Sequence, residues 1–234
     1  MRIRGLLGLL PWLVLGGGVG PVAADTSTAG NGATPAEPSP SSLFTQRATP
    51  ARIAALTRPA ATALADARVV RGRFVQRRYL AGLTKPLESS GSFLFAREAG
   101  IEWHTEKPFD SQFLLTENRI TQRDEGGVSL EIQASDQPAL AVVARVFFAL
   151  FALDVDSLSQ DFDLYGQARG AGWQLGLKPR AEALGSMFRQ AVVEGSGAVH
   201  RVTLEDGNGD RSEIEFQGVI FDRQGLTSDE RRRF

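Results

Sequence analysis

Val69-Val70-Arg71-Gly72-Arg73-Phe74-Val75-Gln76-Arg77-Arg78-Tyr79 is where the chain changes period. Before it, over residues 43–67, Ala and Leu recur at helical spacing through Ile53, Leu56 and Leu64, interrupted by Pro59. That stretch predicts one helix, kinked or split at the proline. From Val69 onward the period is two: Phe74, Gln76 and Arg78 alternate with Val75, Arg77 and Tyr79. Half-buried strands read this way. Residues 89–96, 101–105, 112–116 and 119–123 continue the pattern, punctuated by Gly82, Ala99-Gly100, Glu117-Asn118 and Gly126-Gly127. Short sequential strands with tight turns predict an antiparallel meander.

The pattern breaks at residues 138–153. Val142, Val143, Val146, Phe147, Phe148, Leu150, Phe151 and Leu153 surround one charge, Arg145. The run is shorter than the roughly 20 residues that span a bilayer, and the arginine sits mid-way. A helix apolar nearly all round must be enclosed by protein or must itself cover something apolar. A short capped helix or turn follows at 154–161. Strands then resume at 162–168, 172–177, 188–194, 199–204 and 212–220, joined by Gly170-Ala171-Gly172 and by Asp206-Gly207-Asn208-Gly209-Asp210. The fold class is α+β and mostly β. One domain carries about ten to eleven antiparallel strands, and the concave face of so large a curved sheet must be filled or covered. The helices are the available cover.

Composition and the N-terminus narrow the function. The 234 residues are 42% apolar and 23% charged, with a formal charge of −1. A wholly disordered chain and a polytopic membrane protein are excluded, and no basic field favours nucleic acid. Zero Cys removes disulfides, thiolate metal sites, cysteine nucleophiles and a lipid anchor on an N-terminal cysteine. Arg2 and Arg4, the apolar run 5–19 and Pro21-Val22-Ala23-Ala24 have the three parts of a secretory signal cleaved after Ala24. The predicted divisions are a signal peptide at 1–24, a flexible linker at 25–42, one folded domain at 43–225 and a charged tail at 226–234. A thiol-free exported protein suits the periplasm.

Residues with catalytic potential are few. Of the two histidines, His104 lies between Glu102 and Glu106 at alternate positions of one strand. Ligands so spaced on a flat strand converge poorly on one ion, so a solvated polar face is expected. Asp206, Asn208 and Asp210 imitate a calcium loop, but Arg211 stands at the turn glycine and Gln217 at the final glutamate, leaving a hairpin turn. Nucleophile-elbow, zincin, Walker and dinucleotide-binding motifs are missing. The chain is expected to be neither an enzyme nor the holder of a cofactor or metal.

Three segments resemble a known family. They are Phe74-Val75-Gln76, the ungapped run from Gly91 through Arg97, Trp103 and Pro108, and Phe113-Leu114-Leu115-Thr116. Together they are similar to the LolA-type periplasmic outer-membrane lipoprotein carriers. Pro138-Ala139-Leu140 at the start of the apolar run and the segment Trp173 to Pro179 also look like that family. Arg97 is followed by Glu98 where the family has proline. The turn after Thr116 lacks the usual glycine and tryptophan, and a short charged tail replaces the final strand. These departures mark a divergent branch.

The resemblance implies an incomplete antiparallel barrel whose apolar concavity is closed by a helical lid. It also implies a monomeric periplasmic carrier of lipoprotein acyl chains, loaded by an inner-membrane ABC transporter and emptied onto an outer-membrane lipoprotein acceptor. The alternative is a binding or sensor module of the same fold for an envelope lipid or pathway-specific amphiphile, such as an aryl-polyene lipid. Predicted lining residues are Phe74, Phe93, Phe95, Ile101, Trp103, Phe113 and Leu115 on strands, with Val143, Phe147 and Phe151 on the apolar helix. Arg97 occupies the position that, in the family, bonds lid carbonyls and holds the empty cavity shut.

Overall fold

The computed structural model describes residues 40–133, 145, 146, 148–185 and 188–234. The predicted signal peptide, most of the predicted linker, and Val143 and Phe147 lie outside these residues. Pro40–Thr45 forms a short 3-10 helix, and α1 follows at Pro50–Ala65. The break in the predicted helix falls at residues 46–49, not at Pro59, which sits inside an uninterrupted α1. The reason is local. Thr49 caps α1 by accepting a bond from the Arg52 amide, and Pro50 suits the first helical turn, where its missing N–H costs nothing.

Six strands come next: β1 (Val69–Tyr79), β2 (Leu87–Ala96), β3 (Gly100–Lys107), β4 (Ser111–Leu115), β5 (Arg119–Asp124) and β6 (Gly127–Gln133). Residues 145, 146 and 148–152 are helical. α2 (Val155–Asp161) follows, with Asp154 as its cap. The second strand group is β7 (Phe162–Arg169), β8 (Gly172–Pro179), β9 (Gln190–Gly195), β10 (Val199–Glu205) and β11 (Arg211–Asp222). Short helices α3 (Glu182–Gly185) and α4 (Ser228–Arg231) complete the described elements. β6 is a strand that the sequence did not reveal. Its apolar positions, Val128, Leu130 and Ile132, stay partly or largely exposed at a sheet edge, so the segment carries little burial signal.

The eleven strands of the described residues form one antiparallel sheet in the order β6-β5-β4-β3-β2-β1-β11-β10-β9-β8-β7. Two meanders are thus joined where β1 pairs with β11, Phe74 opposite Phe216 and Gln76 opposite Ile214. β6 and β7 are the two edges and do not pair, so the sheet curves without closing. Core residues of one strand parity line its inner face, from Phe162 and Leu164 through Val193, Val202 and Ile214 to Phe74, Ile101 and Ile120. α1 lies on this face through Ile53, Ala60 and Leu64. Gly166 makes room for it, because a Cβ there would collide with Ile53 and press on Leu56. Val155 and Leu158 of α2 join the same core.

The outer face is polar and laced with ion pairs, among them Arg73–Glu106 at 2.8 Å and Arg169–Glu194 at 2.9 Å. The end of the chain docks there too. Leu226 and Phe234 pack against a small outer cluster of Val69, Leu94 and Ala96. Arg71 holds Glu230 through Nε and Nη2, each at 2.7 Å. The charged tail is not all at the solvent: the Arg233 guanidinium reaches the buried Glu102 carboxylate at 2.8 Å. Sequence shows the charges but not the strand carboxylate that one of them meets.

Candidate functional site

Register places six of the seven predicted strand residues in two rows, and Phe74 opposite Gly91 in a third. One runs across neighbouring strands from Ile132 through Ile120, Leu115, Ile101 and Phe95 to Val70. The next runs from Phe113 through Trp103 and Phe93 to Gly72. Gly72 has a steric reason: a Cβ there would lie 2.6 Å from the Phe93 ring, which covers β1 at that point. Phe74, Phe93, Phe95, Ile101, Trp103, Phe113 and Leu115 are all buried in the one inner cluster.

The helical residues close over these rows. Phe151 sits 6.0 Å from Phe93, 5.6 Å from Phe95 and 6.1 Å from Phe216, ring centre to ring centre. Phe74 stacks on Trp103 at 3.9 Å, and Phe148 meets Phe95 at 5.9 Å. Phe216 belongs to this aromatic set although the sequence reading missed it. Its signal was present, since Ile214 and Phe216 share a parity in the last strand. The pairing of first and last strands that brings Phe216 to Phe74 is long-range and leaves no local trace.

Two spaces adjoin the aromatic set. Between Leu64, Val70, Phe93, Phe151, Val202 and Phe216 lies a void of about 40 Å³ lined by apolar side chains. It could hold a few water-sized bodies, not an acyl chain. Beside it, floored by Phe95, Phe148, Ala149 and Ala152 and rimmed by Arg97, Glu117, Arg145 and Asp154, is an open cavity of about 340 Å³. That volume falls in the range of small-ligand sites. Leu64 lines the first space and Arg97 the second, and the Arg97 guanidinium donates a 3.2 Å bond to the Leu64 carbonyl in the last turn of α1. On the rim, Arg145 grips both oxygens of Asp161 at 2.9 Å. Asp154 is held below the usual carboxylate range by hydrogen bonds from the Ser157 hydroxyl and amide.

The polar residues on β3 do not form a centre. Glu102 is buried between Gln112 and Arg233, His104 pairs with Asp110 at 2.8 Å, and Glu106 pairs with Arg73. Each has a separate partner, and Glu102 is not solvated. The Asp206 carboxylate accepts bonds from the Asn208 and Asp210 amides, as a hairpin turn requires. Among the described residues no group of three or more acidic, His or Cys side chains is placed to hold a metal.

The sequence matches a known family. Residues 65–225 match the family described as outer membrane lipoprotein carrier protein LolA. An outer-membrane lipoprotein carrier protein from Pseudomonas entomophila (strain L48) is 26% identical over 166 residues, covering 67% of this chain and 73% of that one. Among solved structures, a LolA superfamily protein from Nitrosomonas europaea aligns at 11% identity and a TM-score of 0.39, over 73% of this chain and 96% of that one. The Mycobacterium tuberculosis lipoprotein LppX aligns at 12% identity and a TM-score of 0.44, over 74% of this chain and 100% of that one. With the family match running from the end of α1 to the end of β11, the chain belongs to the LolA outer membrane lipoprotein carrier family, as a divergent member.

Proposed function

We propose that this protein is a non-enzymatic periplasmic carrier. It takes the acyl chains of a lipoprotein or related amphiphile into the apolar interior and moves them from the inner towards the outer membrane. An inner-membrane ABC transporter is the donor and an outer-membrane lipoprotein the acceptor. The signal peptide ends at Ala24, residues 25–42 are a flexible linker, and the domain at 43–225 is released into solution. Arg97 closes the lid, and Phe74, Phe93, Phe95, Ile101, Trp103, Phe113, Leu115 and Phe151 contact the chain. Val143 and Phe147, from the apolar run 138–153 of the sequence, complete the proposed contact set.

One observation carries the proposal: a continuous aromatic inner face roofed by an apolar helical segment, tied at its seam by the Arg97–Leu64 bond. Burial of each methylene is worth about 0.8 kcal/mol, so a 16-carbon chain represents more than about ten kcal/mol gross. Such a chain does not cross water unaided. Loading an acyl chain between these rings displaces Phe151 from Phe93 and Phe95.

The test uses protein exported by its own cell. N-terminal sequencing of the soluble periplasmic fraction should give Asp25, and a fluorescent acyl probe should bind that protein saturably. Met1 retained in a membrane pellet, or a folded protein that ignores the probe, overturns the proposal.

A further inference from the structure

The open cavity has more to it than an entrance. Arg97 and Glu117 stand on its rim from different turns, after β2 and after β4. Among the described residues, the only side-chain hydrogen bond from Arg97 goes to a carbonyl, and Glu117 makes no ion pair. The other two rim charges are already committed, Arg145 to Asp161 and Asp154 to the first turn of α2. Two charges of opposite sign, Glu117 without an ion pair and Arg97 bonded to a backbone carbonyl but to no carboxylate, therefore face one space of about 340 Å³. Below them the floor is apolar, and Phe95 is shared with the aromatic set through its stacking on Phe151.

We infer that this cavity is a headgroup subsite for a zwitterionic amphiphile. The anionic group of the head meets Arg97, its cationic group meets Glu117, and the chain passes Phe95 and Phe148 into the interior. A head of one sign satisfies one rim charge and brings like charge to the other. A zwitterion bridges both without leaving either facing a like charge. The inference rests on the carrier proposal and adds the chemistry of the head.

Three probes of equal chain length decide it: a lysophosphocholine, an alkyl sulfate and an alkyltrimethylammonium. Each displaces a neutral polarity-sensitive dye below its micelle concentration. The zwitterion should bind about tenfold more tightly than either singly charged probe, equivalent to about 1.4 kcal/mol. Glu117→Lys, on an exposed turn, should reverse that order in favour of the sulfate while far-UV circular dichroism stays unchanged. Equal binding of all three, or the same order in Glu117→Lys, overturns the subsite and leaves the carrier proposal standing. If no probe displaces a bound dye from folded protein, both fall. Should Glu117→Lys fail to fold, Glu117→Gln serves instead, and there the zwitterion must lose its advantage over the sulfate.

Discussion

Arg97 donates its hydrogen bond where α1 runs out of internal partners and its last carbonyls are open to a donor. Charge-assisted bonds of this kind contribute about 1.5–3 kcal/mol. On the carrier proposal closure competes with cargo, so Arg97→Leu should tighten binding of a neutral-headed acyl probe, which makes no use of the rim charge, by roughly tenfold and slow its transfer to an acceptor membrane correspondingly. A titration of wild type and variant at matched stability checks this, and unchanged affinity would reduce Arg97 to a turn residue. Glu230 poses a different question. The bonds from Arg71, aided by those from Thr227, lower its pKa from 4.5 to about 2. A lowered folded-state pKa stabilises above the unfolded value, and that stability is lost as pH falls from 4.5 towards 2. Glu230→Gln should therefore cost about 1–3 kcal/mol near neutral pH and flatten the acid side of the stability curve, measured by urea melts across that window. The two arginines differ in legibility. The role of Arg97 was suggested by the resemblance alone, whereas nothing in the sequence tied Arg71 to a residue 159 positions away.

The helical residues 145, 146 and 148–152 are the element on which the carrier reading turns. Phe151 is only half buried yet touches Phe93, Phe95 and Phe216, as a side chain on a movable cover would. Phe151→Asp must leave its carboxylate in water or drive the helix from the sheet. Uptake of an acyl probe should disappear while the β-sheet circular dichroism signal persists. Global unfolding would instead make this helix ordinary core. Most elements were legible because local physics dictates them. β1 begins and ends where the two-residue alternation does, and the Asp154 cap and the glycine-marked hairpins announce themselves. β6 was not legible, since edge strands bury too little to impose a pattern on their sequence. Pro59 marks the predicted helix with a break that α1 does not have, whereas Thr49-Pro50 holds the stronger start signal and sets where it begins.

At the scale of the molecule, the β1–β11 pairing makes one curved sheet of two meanders, and the unpaired edges at β6 and β7 leave it open. The choice of inner face followed from the alternation of Phe93, Phe95, Ile101 and Trp103 once the strands were paired. The cavity beneath Arg97 and Glu117 required coordinates, because it joins turns and helix from separate parts of the chain. The central claim is that this interior carries an amphiphile. Native mass spectrometry of protein purified from its own periplasm, followed by lipid extraction of the same sample, tests it most directly. The account predicts a population carrying a discrete added mass that reappears as an amphiphile in the extract. A well-folded sample with no adduct and no extractable amphiphile would contradict it.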